Sequence, residues 1–416
     1  MVAGETSFWH PFANMGAVTR ERLTIVRGRG CTVWDDAGNA YLDALGSLWY
    51  ANVGHGRTEL AEAAAAQLHE LAAYQTYELY TSPPAEELAR RVASLAPIDD
   101  AKVFFTSGGG ESIDSAAKLA LAYWAAVGQP GKRVLVSRQF AYHGSNAYGT
   151  ALGGIQSNVE PYGRLVPDVE QVPWDDADAL AAAIDRRGAD TVAAFFCEPV
   201  LGAGGVLHPP PGYLERVQQI CRERDVLFVL DEVITGFGRL GEWFAAGRFG
   251  LQPDLMTCAK GITSGYVPLG AVVASARIAE PFWREGTTTI FRHGYTYSGH
   301  TTACAVALAN LDLIEREGLV GQVRRLESVL ADALQPLAEH ETVAGVRAGL
   351  GLLAAVELTP ERQETLQRVV DQARARGVLL RGLRGVALQI SPPFVISEDE
   401  IATLARVLGE SLDAVG

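Results

Sequence analysis

Val226-Leu-Phe-Val-Leu230 runs into Asp231-Glu-Val-Ile-Thr-Gly-Phe-Gly-Arg239, and Pro253-Asp-Leu-Met-Thr-Cys-Ala-Lys260-Gly261 follows shortly after. A short apolar run rich in β-formers reads as a buried strand of a parallel sheet, and ligands of such sheets bind beyond the carboxyl ends of the strands. Asp231 stands at that edge. A second short apolar segment, Leu255 to Cys258, delivers Lys260 to an edge in the same way. The pair predicts a crevice on which an acid and an amine converge.

A lysine in that position can form a Schiff base, and an aspartate beside it can hold a cationic ring nitrogen. The combination points to pyridoxal 5′-phosphate (PLP). Other readings compete. An apolar run ending in Asp-Glu also resembles the metal-binding strand of a P-loop ATPase, but Gly-x-x-x-x-Gly-Lys-Ser/Thr occurs nowhere, and Gly131-Lys132-Arg133 does not supply it. Gly236-Phe-Gly238-Arg-Leu-Gly241 fits the bare dinucleotide pattern. It comes five residues after Asp231, behind two acids, and lacks the acid that a dinucleotide site carries about twenty residues on. Taken alone, a surface lysine and a strand-end aspartate would also explain the stretch, so the rest of the chain has to decide.

The chain has 416 residues, enough for two domains and a large core. Hydrophobic residues at 48%, charged residues at 20% and 44 glycines argue against disorder, and the net charge of -14 argues against a general nucleic-acid binder. Cys31, Cys197, Cys221, Cys258 and Cys304 are widely spaced and mostly within apolar runs. Neither a disulfide framework nor a zinc site is expected from them. Met1 to His10 lacks a basic region followed by an apolar one, and no run reaches the roughly eighteen apolar residues of a membrane helix. The expectation is a soluble cytoplasmic protein without membrane or nucleic-acid partners.

Taken in order, residues 1–50 hold an aromatic opening and a hairpin, Cys31 to Leu42, turning at Asp36-Ala-Gly-Asn39. A glycine-punctuated loop from Gly46 to Gly56 carries Trp49 and Tyr50, which can line a pocket or fill the core. Thr58 to Tyr74 reads as a helix capped by Thr58, and Ser82 to Leu95 as a second, opened by Pro83-Pro84. Lys102 to Thr106 is a strand that runs through Ser107-Gly108-Gly109-Gly110 into a helix, Glu111 to Ala126. Glycines let the backbone approach an anion and a helix N-terminus attracts it, so this is a candidate phosphate cradle, with a plain tight turn as the alternative.

Val134 to Ser137 is a strand followed by Phe140-Ala-Tyr142-His143-Gly144-Ser145, where Tyr142 can stack on a planar ring. Helix Asp175 to Arg186, strand Thr191 to Cys197 ending in Glu198-Pro-Val-Leu-Gly202-Ala203-Gly204-Gly205, and helix Tyr213 to Arg224 return the chain to Val226. Alternating strands and helices predict a doubly wound, mostly parallel α/β domain. After Lys260 come a strand, Gly270 to Ser275, and a polar loop, Arg292-His293-Gly294-Tyr295-Thr296-Tyr297-Ser298-Gly299-His300, whose two histidines have no acidic neighbour and predict no metal site. Helices Ala303 to Glu317, Val320 to Ala338, Glu361 to Arg376 and Glu398 to Val415 surround strands at Gly351 to Glu357 and Val378 to Ser391, a smaller α+β lobe. The expected division is 1–50 as the N-terminal part of the small domain, 51–297 as the large domain and 298–416 as the C-terminal small domain.

In this order the segments resemble the class III, fold-type I PLP-dependent aminotransferases over nearly the whole chain. The match rests on the glycine-rich turn, the aromatic-His-Gly loop, the Glu-Pro loop, the Asp-Glu-Val strand end, Ala259-Lys260-Gly261 and the His293-Gly-x-Thr-x-x-Gly-His300 loop. The resemblance implies that Lys260 holds PLP covalently and then shuttles a proton, and that Asp231 pairs with the pyridinium nitrogen. It further implies cofactor contacts from Gly109, Gly110, Tyr142, His143, Glu198 and Val233, and from Thr296 toward the neighbouring subunit of a homodimer with shared active sites. Where the family usually writes Gly-Ser-Glu or Gly-Gly-Ser-Asp, this chain has Gly108-Gly109-Gly110-Glu111, so a serine contact to the phosphate is missing.

Relatives that use 2-oxoglutarate tend to carry Gly-Glu-Gly-Gly after the Glu-Pro, and Ala203 stands in place of that glutamate. The resemblance is therefore to the ω-amino acid and amine:pyruvate branch. It implies an amino group moved from an ω-amino acid, amine or diamine to a small 2-oxo acid such as pyruvate. A 2-oxoglutarate-dependent enzyme, or mutase or racemase chemistry on the same fold, is the alternative. Trp49, Tyr50, Ala203 and Tyr295 are the expected substrate contacts, with Arg381, in preference to Arg384, holding the substrate carboxylate. Sequence leaves the donor, its stereochemistry and the pathway open.

Overall fold

Leu227–Asp231 is a strand with every residue buried, inside a seven-stranded sheet. The computed structural model describes residues 6–163 and 165–415, so Met1 to Glu5 of the N-terminal stretch read above lie outside the described residues. In chain order the strands are β1 (Ile25–Arg29), β2 (Thr32–Asp35) and β3 (Ala40–Asp43). Next come β4 (Lys102–Thr106), β5 (Val134–Arg138), β6 (Val169–Val172), β7 (Val192–Cys197), β8 (Leu227–Asp231), β9 (Leu255–Cys258) and β10 (Gly270–Ala274). The last are β11 (Val343–Arg347), β12 (Ala354–Leu358), β13 (Val378–Leu379), β14 (Arg381–Leu383) and β15 (Ala387–Ile390).

The central sheet has the order β4-β10-β9-β8-β7-β5-β6. β10 pairs antiparallel with both its neighbours, and the other strand pairs are parallel. Both faces are covered, which is why its strands read as unbroken apolar runs. Phe228 and Leu230 face one core with Leu214, Val217 and Ile184, while Leu227 and Val229 face the other with Ile113, Ala117 and Trp124. A side chain at any position of β8 is thus buried, and only the residue at its carboxyl end reaches the crevice.

Two four-stranded sheets flank this one, in the orders β1-β2-β3-β13 and β11-β12-β15-β14. The expected hairpin is β2–β3, and β3 is joined in parallel by β13 through Val378 and Leu42. On that pairing we propose grouping residues 1–50 with 298–416 around a large domain of 51–297.

Several element ends differ from expectation for local reasons. Thr58 is the first residue of its helix (Thr58–Leu71), and Arg57 is the N-cap, without a capping bond from its side chain. The helix after the glycine turn starts at Gly109, two residues early, so Gly109 and Gly110 belong to its first turn. The Val320 helix ends at Leu334 and tightens into a 3₁₀ turn at Gln335–Glu339, where Pro336 cannot donate. The expected strand from Gly351 starts only at Ala354. β1, β6, β11 and the helix Ala276–Trp283 carried no readable pattern; β1 is exposed at four of its five positions. All five cysteines are unpaired and buried. No helix among the described residues is long and apolar enough to cross a membrane.

Candidate active site

The carboxyl ends of β8 and β9 open into a cavity of about 1100 Å³ whose lining includes Asp231, Val233, Lys260, Glu198 and His143. Asp231 pairs across the sheet with Thr257, and this register sets its surroundings. Its Oδ1 accepts the Val233 amide at 3.0 Å and the Thr257 hydroxyl at 3.2 Å. Its Oδ2 lies 2.7 Å from Nδ1 of His143, a fully buried ring. A carboxylate only accepts, so Nδ1 carries the proton, and Nε2 of the same ring has no partner among the described residues. Lys260 follows Ala259 in the left-handed region, φ 46°. Burial is the main cause that pulls its amine from 10.5 down to about 8, with Asp231 and Glu198 acting the other way and Arg381 adding to the fall.

Glu198 accepts the amide of Tyr142 on Oε1 (3.0 Å) and that of Gly202 on Oε2 (2.9 Å). Burial raises its carboxyl above the ordinary range, and His143 and the two amides oppose this. The neighbouring Glu232 turns to the amides of Ala245 and Ala246 and to the Thr235 hydroxyl; burial pushes it up to about 7. It acts in the helix start at Ala245 and is not among the cavity residues.

The glycine turn forms one wall. A Cβ on Gly109 would stand 2.8 Å from Cγ1 of Val233, so nothing larger fits there. Gly144, φ 96°, backs onto Gly110, where a Cβ would come within 2.6 Å of the Gly110 Cα. At Gly110 itself the nearest atom to a Cβ is Asn146 Oδ1 at 3.5 Å, which leaves room. The eighteen-residue helix Gly109–Ala126 thus presents its free amides to the cavity. Tyr142 and Val233 both line it, as a planar ring between two faces would require.

Trp49 and Tyr50 close the outer side with Ala203 and Arg381. Trp49 is 4% exposed, and its ring lies 4.8 Å from the Arg381 guanidinium and 5.7 Å from Lys260 Nζ. Gly265 makes room for Tyr50, since a Cβ there would sit 2.2 Å from Cδ2 of the ring. The two candidate arginines separate cleanly. Arg384 donates to the Gly204 carbonyl at 2.9 Å and stacks 3.7 Å over Phe140. The Arg381 guanidinium has no hydrogen bond or ion pair among the described residues and lies over the Trp49 ring.

Tyr295 and Thr296 do not line the cavity of their own chain. The Tyr295 hydroxyl donates to the Glu111 carbonyl at 3.3 Å and its ring packs on His293, while Thr296 is exposed. Sequence reading passed over a group of buried polar side chains behind the cavity. Arg239 donates to the carbonyls of Leu352 (3.1 Å) and Pro392 (2.6 Å) and to Asn52 Oδ1 (2.9 Å), over the Phe394 ring. Asn310 donates to the carbonyls that follow Lys260. The signal available was a polar residue inside an apolar stripe or motif.

The donor set fits PLP: an amine whose proton affinity is lowered, a hydrogen-bonded carboxylate across from it, an amide cradle and two ring-sized faces. Fold and site together define a fold-type I PLP-dependent transferase. A family model, aminotransferase class-III, matches residues 15–412. The putrescine–pyruvate aminotransferase of Pseudomonas aeruginosa is 40% identical over 95% of this chain and 92% of its own. The omega-amino acid–pyruvate aminotransferase of Pseudomonas putida is 36% identical over 97% of this chain and 95% of its own. An amine transaminase from an uncultivated Pseudomonas species, solved in its PLP-bound form, superposes with a TM-score of 0.94 at 36% identity, covering 100% of both chains. The chain belongs to the class III aminotransferases and is an aminotransferase.

Two outcomes follow from this geometry. In the PLP-free protein the Lys260 amine loses its proton near pH 8, so the rate of PLP capture rises with pH through about 8 and then levels. In Asp231→Asn that midpoint moves down, because the carboxylate that favours the ammonium is gone; stopped-flow absorbance over a pH series reads both. Gly110→Ser adds a hydroxyl where there is space and removes a glycine from a helix, so slower PLP dissociation and a higher Tm are expected, measured by dialysis and thermal melting.

Proposed function

We propose that this chain is an ω-amino acid or amine:pyruvate transaminase that uses PLP bound through Lys260. The observation that carries the reading is the Arg381 guanidinium, which has no hydrogen-bond or ion-pair partner among the described residues and lies over the same Trp49 ring that neighbours Lys260 Nζ. When bound, PLP supplies an electron sink for the carbanion formed at the donor's Cα. Lys260 Nζ, with its proton affinity lowered, takes up that proton and returns it. Asp231 keeps a positive ring nitrogen in its charged form, and the His143 proton on Oδ2 fixes the carboxylate's orientation. The amides of Gly109 and Gly110 would hold the phosphate, and Tyr142 and Val233 would flank the ring.

An unpaired guanidinium at the wall of an apolar cavity carries a desolvation cost that a substrate carboxylate relieves. Pyruvate and ω-amino acids bring one. Ala203 leaves no carboxylate at its own position to pair with Arg381 in the acid's absence, and the relatives named for pyruvate support the same acceptor. A homodimer completes the site in this reading. Thr296 is exposed, and Leu79 (97% exposed), Leu71, Tyr74, Tyr77 and Tyr80 form apolar surface in the segment before the Pro83 helix. Five unpaired cysteines suit the reducing cytoplasm, where we expect it to work.

The purified protein should carry a visible chromophore that bleaches with an amine donor and returns with pyruvate, which becomes alanine. Lys260→Ala is expected to leave a folded protein with no borohydride-reducible bond to PLP and no turnover; label retained by that variant would refute the assignment of Lys260. Asp231→Asn should keep the cofactor and lose rate on the order of a hundredfold.

Pyruvate is expected to be a better acceptor than 2-oxoglutarate. Arg381→Ala should raise KM for pyruvate far more than for an uncharged aldehyde, and Arg384→Ala should change the two alike. A reversed pattern between the arginines would move the carboxylate site to Arg384.

A further inference from the structure

Asn310 sits in the helix Thr301–Arg316, on the buried stripe that also carries Ala303, Cys304, Ala307, Leu311 and Ile314. It is fully buried, and its Nδ2 donates to two successive carbonyls, Gly261 at 2.9 Å and Ile262 at 3.0 Å. These residues follow Lys260 directly and form with it a single 3₁₀ turn. Of the turn's own bonds, Ile262 to the Ala259 carbonyl is ordinary at 3.1 Å, but the two that follow are long: Thr263 to the Lys260 carbonyl at 3.4 Å and Ser264 to the Gly261 carbonyl at 3.3 Å. It also opens on a lysine in the left-handed region, which L-residues resist. Left to itself, a weakly bonded turn with an unfavourable first residue relaxes, and Nζ moves with it.

On the other side of the turn, a Cβ on Gly261 would meet Nδ2 of Asn52 at 2.4 Å, and that nitrogen donates to the Phe237 carbonyl at 3.2 Å. The turn therefore sits between two buried amides, one of which grips its carbonyls. A buried amide among apolar side chains destabilises a fold unless it is hydrogen-bonded, and Asn310 spends both of its donations on this turn while Oδ1 has no partner among the described residues. A leucine branches at the same atom and leaves no oxygen unpaired. The clasp on the backbone after Lys260 is what the amide adds.

We infer that Asn310 is a positioning residue for the reaction, acting through the Gly261 and Ile262 carbonyls to hold the Lys260 turn so that Nζ stays aimed into the cavity. The inference rests on Lys260 being the amine that binds PLP.

The test compares the unmodified enzyme, Asn310→Leu and Ala307→Gly, a helix-loosening control on the same stripe that touches no carbonyl of the turn. Three quantities are read: borohydride trapping of PLP on the unmodified enzyme, kcat and KM for pyruvate, and the titration of the Lys260 amine in PLP-free protein, followed by NMR after reductive ¹³C-methylation at a series of pH values. Asn310→Leu should lose kcat by roughly tenfold to a hundredfold, the scale of small misplacements at a reacting group, with KM for pyruvate unchanged. Its amine should titrate above the value of about 8, as the released side chain gains solvent. Ala307→Gly should lower Tm without either change. If Asn310→Leu does not fold, Asn310→Ser, whose shorter donor cannot span both carbonyls, is judged by the same criteria. A folded variant with kcat and titration at the unmodified values, or a control that reproduces the shifts, overturns the inference. Absence of trapping on the unmodified enzyme would instead overturn the assignment of Lys260.

Discussion

A buried carboxylate keeps its charge only if hydrogen bonds replace the water it has lost, and the site depends on how Asp231 obtains them. The cost of taking such an ion out of water is several kcal/mol, and a hydrogen bond to a charged group returns about 1.5–3 kcal/mol. Three donors, the Val233 amide, the Thr257 hydroxyl and His143 Nδ1, are enough to offset it. These bonds fix the carboxylate at the edge of the cavity that it lines. The arrangement follows from strand register: Asp231 lies opposite Thr257 because β8 and β9 pair as they do, and the same pairing sends the chain to Lys260 two residues past the end of β9.

The parts of the fold and site that could be read from sequence are those whose partners are close along the chain or implied by a strand end. Asp231, Lys260, the glycine turn and the hairpin at residues 31–42 are of this kind. The pocket roles of Trp49 and Tyr50 were open because an aromatic after a glycine loop packs equally well inside a core; here Trp49 does both, at 4% exposure beside Lys260 and Arg381. Spacing alone did not separate Arg381 from Arg384. What separates them is the Gly204 carbonyl, 180 residues away, to which Arg384 is committed. Tyr295 and Thr296 are not among the residues that line the cavity, and nothing in their spacing from Lys260 says whether the fold brings them to it. Arg239, Asn52 and Asn310 were missed because they bind backbone carbonyls, which carry no side-chain signature.

Strain collects in the same region. Ser47 and Trp49 adopt positive φ angles of 56° and 61°, and Lys260 one of 46°. Each such residue costs about 1–3 kcal/mol and persists only where its surroundings fix it. At Ser47 the Asp43 carboxylate takes the backbone amide at 2.8 Å, and the Ser47 hydroxyl reaches that of Tyr50 at 2.6 Å. The positions that line the outer cavity are thus held by contacts outside it, and stability lost in the Asp43 loop would appear as a change in the cavity's shape.

Arg239 has a practical consequence for anyone reshaping this pocket. Its guanidinium ties the segment after β15, through the Pro392 carbonyl, to the loop that carries Trp49, through Asn52. A Cβ on the intervening Gly46 would meet the Ser391 carbonyl at 2.8 Å and the guanidinium at 3.4 Å. The two loops share one knot: a library that varies residues 46–52 has to keep Gly46 and Asn52, whose contacts reach the Ser391 and Pro392 carbonyls directly or through Arg239.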